Sequence, residues 1–322
     1  MNDEAKMPNR SDSAVTGFDN SSLGIPSAFD IRHSSFSTRR IAAIAANTLT
    51  ELTRQKVFYV LLIFALVLIG SSVFLARFSF QQEFQILKDV SLGAMSIFGS
   101  LLAIVATARL IPQDIEDRTV YTILAKPVPR FEYLLGKLFG VIALLAISLA
   151  VMSALFALIL YAREQTILGE TARQMSNAPR EQIVDALNSV RAAGLKIDIF
   201  AGIAVIFLKA CLLAALTLFV STFATTNLFT VVVMAFVYFI GHLEATAREY
   251  WLTQPNAGWL GKSFLAVVAL IFPDLQAFDL VDEIVAGAMI PLALLAKTAL
   301  LGIFYIVIYT LAAMFVFYGK EL

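Results

Sequence analysis

Cysteine and histidine are almost absent from this sequence. It has one cysteine, Cys211, and two histidines, His33 and His242, in 322 residues. A single cysteine excludes an internal disulfide and a zinc site built from several cysteines. Two histidines so far apart in the chain argue against a paired-histidine zinc site. We therefore predict no metal ligands and no cofactor-binding residues in this chain.

Charge is also scarce. Charged residues make up 15% of the chain, whereas soluble domains have about a quarter. The 24 basic residues balance the 24 acidic ones, so the formal net charge is zero. Because binding to nucleic acid needs a basic surface, the composition gives no reason to expect a nucleic-acid partner.

Enzymatic motifs are missing as well. Neither H-E-x-x-H nor G-x-S-x-G occurs in the sequence, although these patterns mark common zinc-dependent and serine hydrolases. The nucleotide-binding pattern G-x-x-x-x-G-K-[ST] fails at Gly136-Lys137, because Phe131 replaces the first glycine and Leu138 the hydroxyl residue. We predict that the chain is not an enzyme, so any ATP-driven function requires a separate ATPase polypeptide.

Apolar residues, which form 59% of the chain, are concentrated in six blocks. About 20 helical residues cross the roughly 30 Å hydrocarbon core of a bilayer. We predict an all-α integral membrane protein with six transmembrane helices, at about 57–76, 90–111, 136–161, 197–221, 227–243 and 295–318. The fifth is short, and the segments 162–196 and 244–293 are predicted to be external. The apolar run Phe264–Phe272 is too short to cross and favours a re-entrant or interfacial piece, while two extra spans within 264–293 are the alternative.

The residues before the first block predict the orientation. Residues 1–37 are rich in Ser, Asn and Asp, which predicts a disordered cytoplasmic tail. Residues 38–56 have one apolar helical face and basic ends, which predicts an amphipathic helix at the membrane interface, with a water-facing linker helix as the alternative. Basic residues in 39–56 and in 109–137 place both regions in the cytoplasm by the positive-inside rule. Six spans then put both termini on the cytoplasmic side of the cell (inner) membrane.

The loop 112–137 between the second and third blocks is the main functional candidate. Asp114, Glu116 and Asp117 suit the N-terminus of a helix, where acidic side chains offset the helix dipole. An apolar patch with a charged rim follows, and such a short helix can dock into a groove on a partner. Lying flat on the membrane is the alternative. The predicted docking residues are Glu116, Asp117, Arg118, Val120, Tyr121, Ile123, Leu124 and Lys126.

Lys209 is the second candidate because it falls near the middle of the fourth block. A charge at that depth costs several kcal/mol and needs a partner or water. Asp198 is eleven residues away in the sequence, or about 16 Å along a helix, which is too far for a direct pair. Lys209 therefore lines a pathway, or alternatively it snorkels or fixes the packing. His242 and Glu244 at the end of the fifth block form an ion or proton site or mark the membrane boundary.

Several short motifs together resemble a known family. The loop contains Leu-Ala-Lys-Pro-Val-Pro-Arg at 124–130, followed by Tyr-Leu-Leu-Gly-Lys at 133–137. Arg54-x-Lys56-x-Phe58 precedes the first span, Gly241-His242-Leu243 ends the fifth, and Gly319-Lys320-Glu321 lies near the C-terminus. Over residues 38–322 this pattern resembles the type-2 ABC transporter permeases, in the branch that includes the permeases of multicopper-enzyme maturation systems.

The resemblance implies a fold, partners and a function. It implies that 38–322 is a six-span permease domain, with an interfacial helix at 38–56 and a coupling helix at about 114–125. Two permease chains, in a homodimer or a heterodimer, would sit on separate ATPase subunits, which bind the ATP and Mg and drive export. A secondary transporter or channel without an ATPase is one alternative. A membrane anchor or mechanical scaffold that translocates nothing is the other.

Overall fold

The computed structural model describes residues 38–76, 83–117, 129–176, 179–194, 196–253, 273–285 and 291–319, and all regular structure in these ranges is helical. The helices are α1 (Thr38–Thr53), α2 (Lys56–Ala76), α3 (Glu83–Ala108), α4 (Leu110–Glu116), α5 (Arg130–Gln174), α6 (Arg180–Ala193), α7 (Ile197–Phe223), α8 (Asn227–Thr253), the 3-10 turn Gln276–Phe278, α9 (Val281–Val285) and α10 (Leu292–Gly319).

Five helical stretches in the described ranges are long and apolar enough to cross a membrane, as judged by length and composition. They are Lys56–Ala76, Glu83–Glu116, Arg130–Gln174, Arg180–Phe223, which contains α7, and Leu292–Gly319. The apolar part of α8, Asn227–Leu243, is shorter. A helix satisfies its backbone hydrogen bonds internally, which a chain surrounded by lipid requires. The architecture is that of an all-α multi-pass membrane protein.

Helices α3 and α7 form the centre of the bundle. Within the most apolar part of each stretch, 67% of the α3 residues and 72% of the α7 residues are buried, whereas only 22–33% are buried in α2, α5 and α10. The small residues of α3 are consistent with its central position, because Ala94, Ala103 and Ala106 are buried. Small side chains allow close helix approach in lipid, and here that approach occurs inside the chain.

The start of α5 and the end of α10 meet at one end of the bundle. The Arg130 guanidinium, at the start of α5, donates hydrogen bonds to the backbone carbonyls of Phe317 (3.2 Å) and Tyr318 (3.0 Å) at the end of α10. A basic side chain there satisfies carbonyls that a helix terminus leaves without partners. Because α1 packs on the same part of α5, we call this the α1 end.

Helix α1 lies on a glycine surface of α5. Gly136 and Gly140 are one turn apart, and a Cβ atom at either would lie 2.6 Å from a Cβ atom of α1, at Ile44 and Thr48 respectively. No real side chain fits there, so glycine at both positions allows α1 to dock. The apolar face predicted for 38–56 therefore packs against protein, with Ile41, Thr48 and Leu52 buried.

Part of the region between α8 and α10 also packs into the bundle. The run 264–272 lies outside the described residues, but Leu275, Phe278 and Ile284 in 273–285 are at most 3% exposed. We call 273–285 the inserted segment.

Three glycines on different helices make room for the inserted segment. A Cβ atom at Gly202 of α7, Gly241 of α8 or Gly302 of α10 would overlap Ile284, Leu275 or Phe278, respectively. The Leu275 N–H also donates to the Gly241 carbonyl at 3.0 Å. Part of the segment predicted to be external therefore fills space between helices.

Gly140→Ala tests the docking of α1. The added methyl group meets Thr48 and the Ala45 carbonyl, and such overpacking costs about 1–3 kcal/mol. Gly70→Ala in α2 is the matched control, because nothing lies within 4 Å of its Cβ position, and it should be neutral or stabilising. Cys211 is the only cysteine and is buried, so its labelling by a thiol dye during heating in detergent reports unfolding. An unchanged midpoint for Gly140→Ala would contradict the tight contact.

Candidate functional site

The first candidate site is centred on Lys137, which lies two turns into α5 and is 4% exposed. Its Nζ atom is 2.7 Å from Oδ2 of Asp114 on α4 and 3.5 Å from Oε2 of Glu51 on α1. Asp114 is also buried, whereas Glu51 is partly exposed. One ammonium group therefore joins three helices, and removing one partner of such a buried pair leaves an uncompensated charge.

Tyr133 extends this network to α10. It lies one turn before Lys137 on the same face of α5, and its hydroxyl donates a hydrogen bond to Oδ2 of Asp114. The Tyr133 ring stacks on Phe317, with 5.9 Å between the ring centroids and 21° between the ring planes. A single carboxylate oxygen therefore accepts contacts from both Tyr133 and Lys137, and the aromatic contact connects them to the last helix.

Further polar contacts surround the network. Arg40 on α1 approaches the fully buried Glu132 on α5, with 3.9 Å between Nη1 and Oε2. Arg109, at the break between α3 and α4, donates to the side-chain oxygen of Gln55 at 3.4 Å. The break between α3 and α4 is therefore tied to the chain that joins α1 to α2.

A groove of about 790 Å³ opens beside Lys137, between α1, α4 and α5. Its wall carries both signs of charge, with Arg54 and Lys137 opposite Glu51, Asp114 and Asp117. Asp117 and Arg54 are exposed. A groove of this kind suits a helix or loop with mixed charges better than an apolar or strongly charged ligand.

The predicted docking loop begins next to this groove, where Gln113, Asp114 and Asp117 line it. Of its residues, Glu116 and Asp117 are exposed at the end of α4, whereas Arg118, Val120, Tyr121, Ile123, Leu124 and Lys126 lie outside the described residues. The prediction that Asp114 and Glu116 begin a helix is wrong, because both belong to α4 and follow its first turn. Asp114 points inward because Lys137 and Tyr133 compensate its charge.

The second candidate site surrounds Lys209, which is 1% exposed and therefore does not snorkel. Its Nζ atom lies 3.3 Å from Oγ of Ser96 on α3 and 3.1 Å from Nε2 of His242 on α8. Nδ1 of His242 is 2.9 Å from the Tyr238 carbonyl, which only accepts hydrogen bonds. Nδ1 therefore carries the proton, and Nε2 accepts the hydrogen bond from Lys209.

Most of these partners leave no local signal in the sequence. Tyr133 and Lys137 are the exception. They lie four residues apart at the start of the third apolar block, and this helical spacing indicates that both side chains lie on one face. No sequence pattern pointed to Glu51 or to the pairing of His242 with Lys209. In the part of the chain that the structure describes, no three His, Cys, Asp or Glu residues are close enough to hold a metal ion.

Comparison with known proteins does not identify a family. No protein-family model matches the chain, and no curated protein matches its sequence.

Lys137→Met tests the network. The substitution leaves Asp114 buried without its cation, which should cost about 3–5 kcal/mol. The double variant Lys137→Met with Asp114→Asn should recover part of that loss because it removes the stranded charge. Lys297→Met is the control, since Lys297 is exposed on α10, and its effect should stay within about 0.5 kcal/mol. Unfolding followed by Cys211 labelling measures all three, and equal midpoints for Lys137→Met and Lys297→Met would contradict the role of the pair.

Proposed function

We propose that this chain is the permease subunit of an ATP-binding-cassette exporter and that a separate ATPase drives it through the 112–130 loop. The observation that carries the proposal is the Lys137 network at the α1 end. It joins α4 and α5, the helices on either side of residues 118–128, to each other and to α1. A displacement of the loop is thereby transmitted to the membrane helices.

The positions of α2 and α10 support a span count of six. Helix α2 begins at the α1 end, and α10 finishes there, beside Arg130. An even number of crossings agrees with this arrangement, and in the proposal α8 is the sixth, although its apolar part Asn227–Leu243 is short. Polar partners such as His242 with Lys209 and the inserted segment compensate for the missing length at the far end of α8.

The α1 end faces the cytoplasm in this proposal. Arg39, Arg40, Arg54 and Lys56 all lie at this end, and Arg130 begins α5 beside them. Basic residues flanking membrane helices favour the cytoplasmic side. The groove and the loop then face the compartment that contains ATP, and the long α5 with α6 extends on the opposite side of the membrane.

Coupling requires contacts that differ between two states of the ATPase. The wall of the groove offers exposed charges of both signs, at Arg54 and Asp117, which suit a docking partner. A movement of this partner displaces α4. Helix α4 continues α3 after a one-residue break, so α3 moves as well. The other end of the loop transmits the movement to α5. Because Lys137 holds α4 and α5 together, the crossings formed by α3 and α5 move as a unit.

A permease of this kind has two kinds of protein partner. Two copies, identical or of two related chains, would pair in the membrane and sit on two ATPase subunits that bind ATP and Mg. The exposed apolar faces of α2 and α10, which include Val60, Ile63, Leu300 and Phe315, are available to lipids and to the second copy.

A transporter that works without an ATPase is the second candidate function. The observation that favours it is the buried pair of Lys209 with His242, because ionisable residues inside a bundle often belong to ion or proton pathways. Uptake or release driven by an imposed ion gradient, in vesicles that contain this chain alone, would support that alternative.

Val120→Asp combined with Leu124→Asp tests the ATPase partnership. Two charges on the predicted apolar patch should abolish docking, because an apolar ridge no longer fits its groove. The tagged chain is purified from its native membranes in detergent, and the eluate is assayed for a polypeptide with a nucleotide-binding loop and for MgATP hydrolysis. The variant should lose both while still inserting into the membrane.

Val184→Asp provides the control, since Val184 is exposed on α6, which follows the C-terminal end of α5 rather than its start. It should retain the ATPase. The proposal fails if the unmodified chain carries no ATPase, or if the loop variant carries as much as the control.

A further inference from the structure

The Lys209 ammonium contacts two acceptors, Oγ of Ser96 and Nε2 of His242. A protonated lysine has three N–H groups, so among the side chains that the structure describes one donor is left over. Asp279 of the inserted segment attracts the ammonium at longer range. The His242 ring is neutral, because Nδ1 donates to the Tyr238 carbonyl while Nε2 accepts from Lys209. Among the described side chains, the ammonium group therefore has neutral contact partners only.

An apolar crevice of about 210 Å³ lies beside this charge, between α3 and α8. Ile97 and Phe239 stand at its mouth and are 58% and 65% exposed. Ser100 and Tyr238 supply its few polar atoms. The crevice is open on the outer surface of the bundle, where the acyl chains of a bilayer would lie.

Tyr238 connects the crevice with the ammonium group. Its ring lines the crevice, and the ring centroid is 5.9 Å from Nζ of Lys209. Ser96, which bonds to Lys209, directly precedes Ile97 at the mouth. The crevice and the charge are thus separated by one aromatic side chain.

We propose that the crevice and Lys209 together bind an anionic phospholipid from the surrounding membrane. An acyl chain fills the apolar crevice, and the head-group phosphate accepts hydrogen bonds from the spare N–H of Lys209 and from the Tyr238 hydroxyl. The crevice is smaller than the roughly 300 Å³ or more of a drug-sized pocket, so it holds part of one chain while the remainder stays in the bilayer. Rotation of the Tyr238 side chain exposes Lys209 to the phosphate. The inference needs no ATPase and is independent of the proposed function.

Quenching of tryptophan by brominated lipids tests this site directly. The two native tryptophans, Trp251 and Trp259, are replaced by phenylalanine, and Phe239→Trp places a reporter at the mouth of the crevice. The full chain is reconstituted with brominated phosphatidylglycerol or brominated phosphatidylcholine at equal amounts. Phosphatidylglycerol should associate about tenfold more strongly at this position, the size expected for one charge-assisted hydrogen bond.

Matched variants separate the charge from the crevice. Lys209→Gln should remove the preference for phosphatidylglycerol, whereas Lys209→Arg should retain it. Ala235→Phe fills the crevice from an exposed position on α8, so it leaves the buried lysine untouched and should also abolish the preference. This variant tests the site even if Lys209→Gln does not fold. Phe64→Trp on α2, which is 57% exposed, reports ordinary lipid contact and should show no preference.

Four results would overturn the proposal. Equal quenching by the two lipids at position 239 means that neutral lipid fills the crevice. Quenching by neither lipid at 239, with normal quenching at 64, means that a second copy of the chain covers it. A preference that persists in Lys209→Gln excludes the lysine. A preference that arises only in Glu244→Gln means that Glu244 already neutralises Lys209.

Discussion

The contact of Lys137 with Asp114 and Glu51 holds one end of the bundle together. A buried ammonium is stable only when acceptors surround it, so α1, α4 and α5 must meet where these side chains meet. Tyr133 adds a hydrogen bond to Asp114 and a stacking contact to Phe317. The long α5 is consequently attached to the first helix, to the extension of α3 and to the end of α10.

Elsewhere the bundle depends on close packing rather than on charge. Gly136 and Gly140 allow α1 to approach α5, and three glycines on α7, α8 and α10 accommodate the inserted segment. In lipid there is no hydrophobic gain from pressing apolar helices together, so close van der Waals contact supplies much of the association. Small residues therefore decide which helices become neighbours, and the buried α3 and α7 form the centre.

In the proposed permease, the α1 end and the region around Lys209 have different roles. The α1 end is cross-linked by ion pairs and hydrogen bonds, so it can transmit a displacement of the 112–130 loop as a rigid unit. Around Lys209, the contacts are fewer and α8 leaves a crevice against α3. A bundle that is cross-linked at the α1 end and has a crevice between α3 and α8 can change the exposure of a central site. The α1 end, which receives the movement of the loop, stays intact.

Sequence alone determined the all-α class, the approximate position of the apolar helices and the presence of Lys209 inside one of them. These properties depend on local composition and on the length needed to cross lipid. Tertiary structure decided the partners, which lie far apart in the chain: Lys137 is 86 residues from Glu51, and Lys209 is 113 residues from Ser96. It also corrected the role of Asp114, which local dipole arguments placed at a helix start. A buried charge is positioned by the partners that compensate it, and no local pattern reveals which helices will bring those partners together.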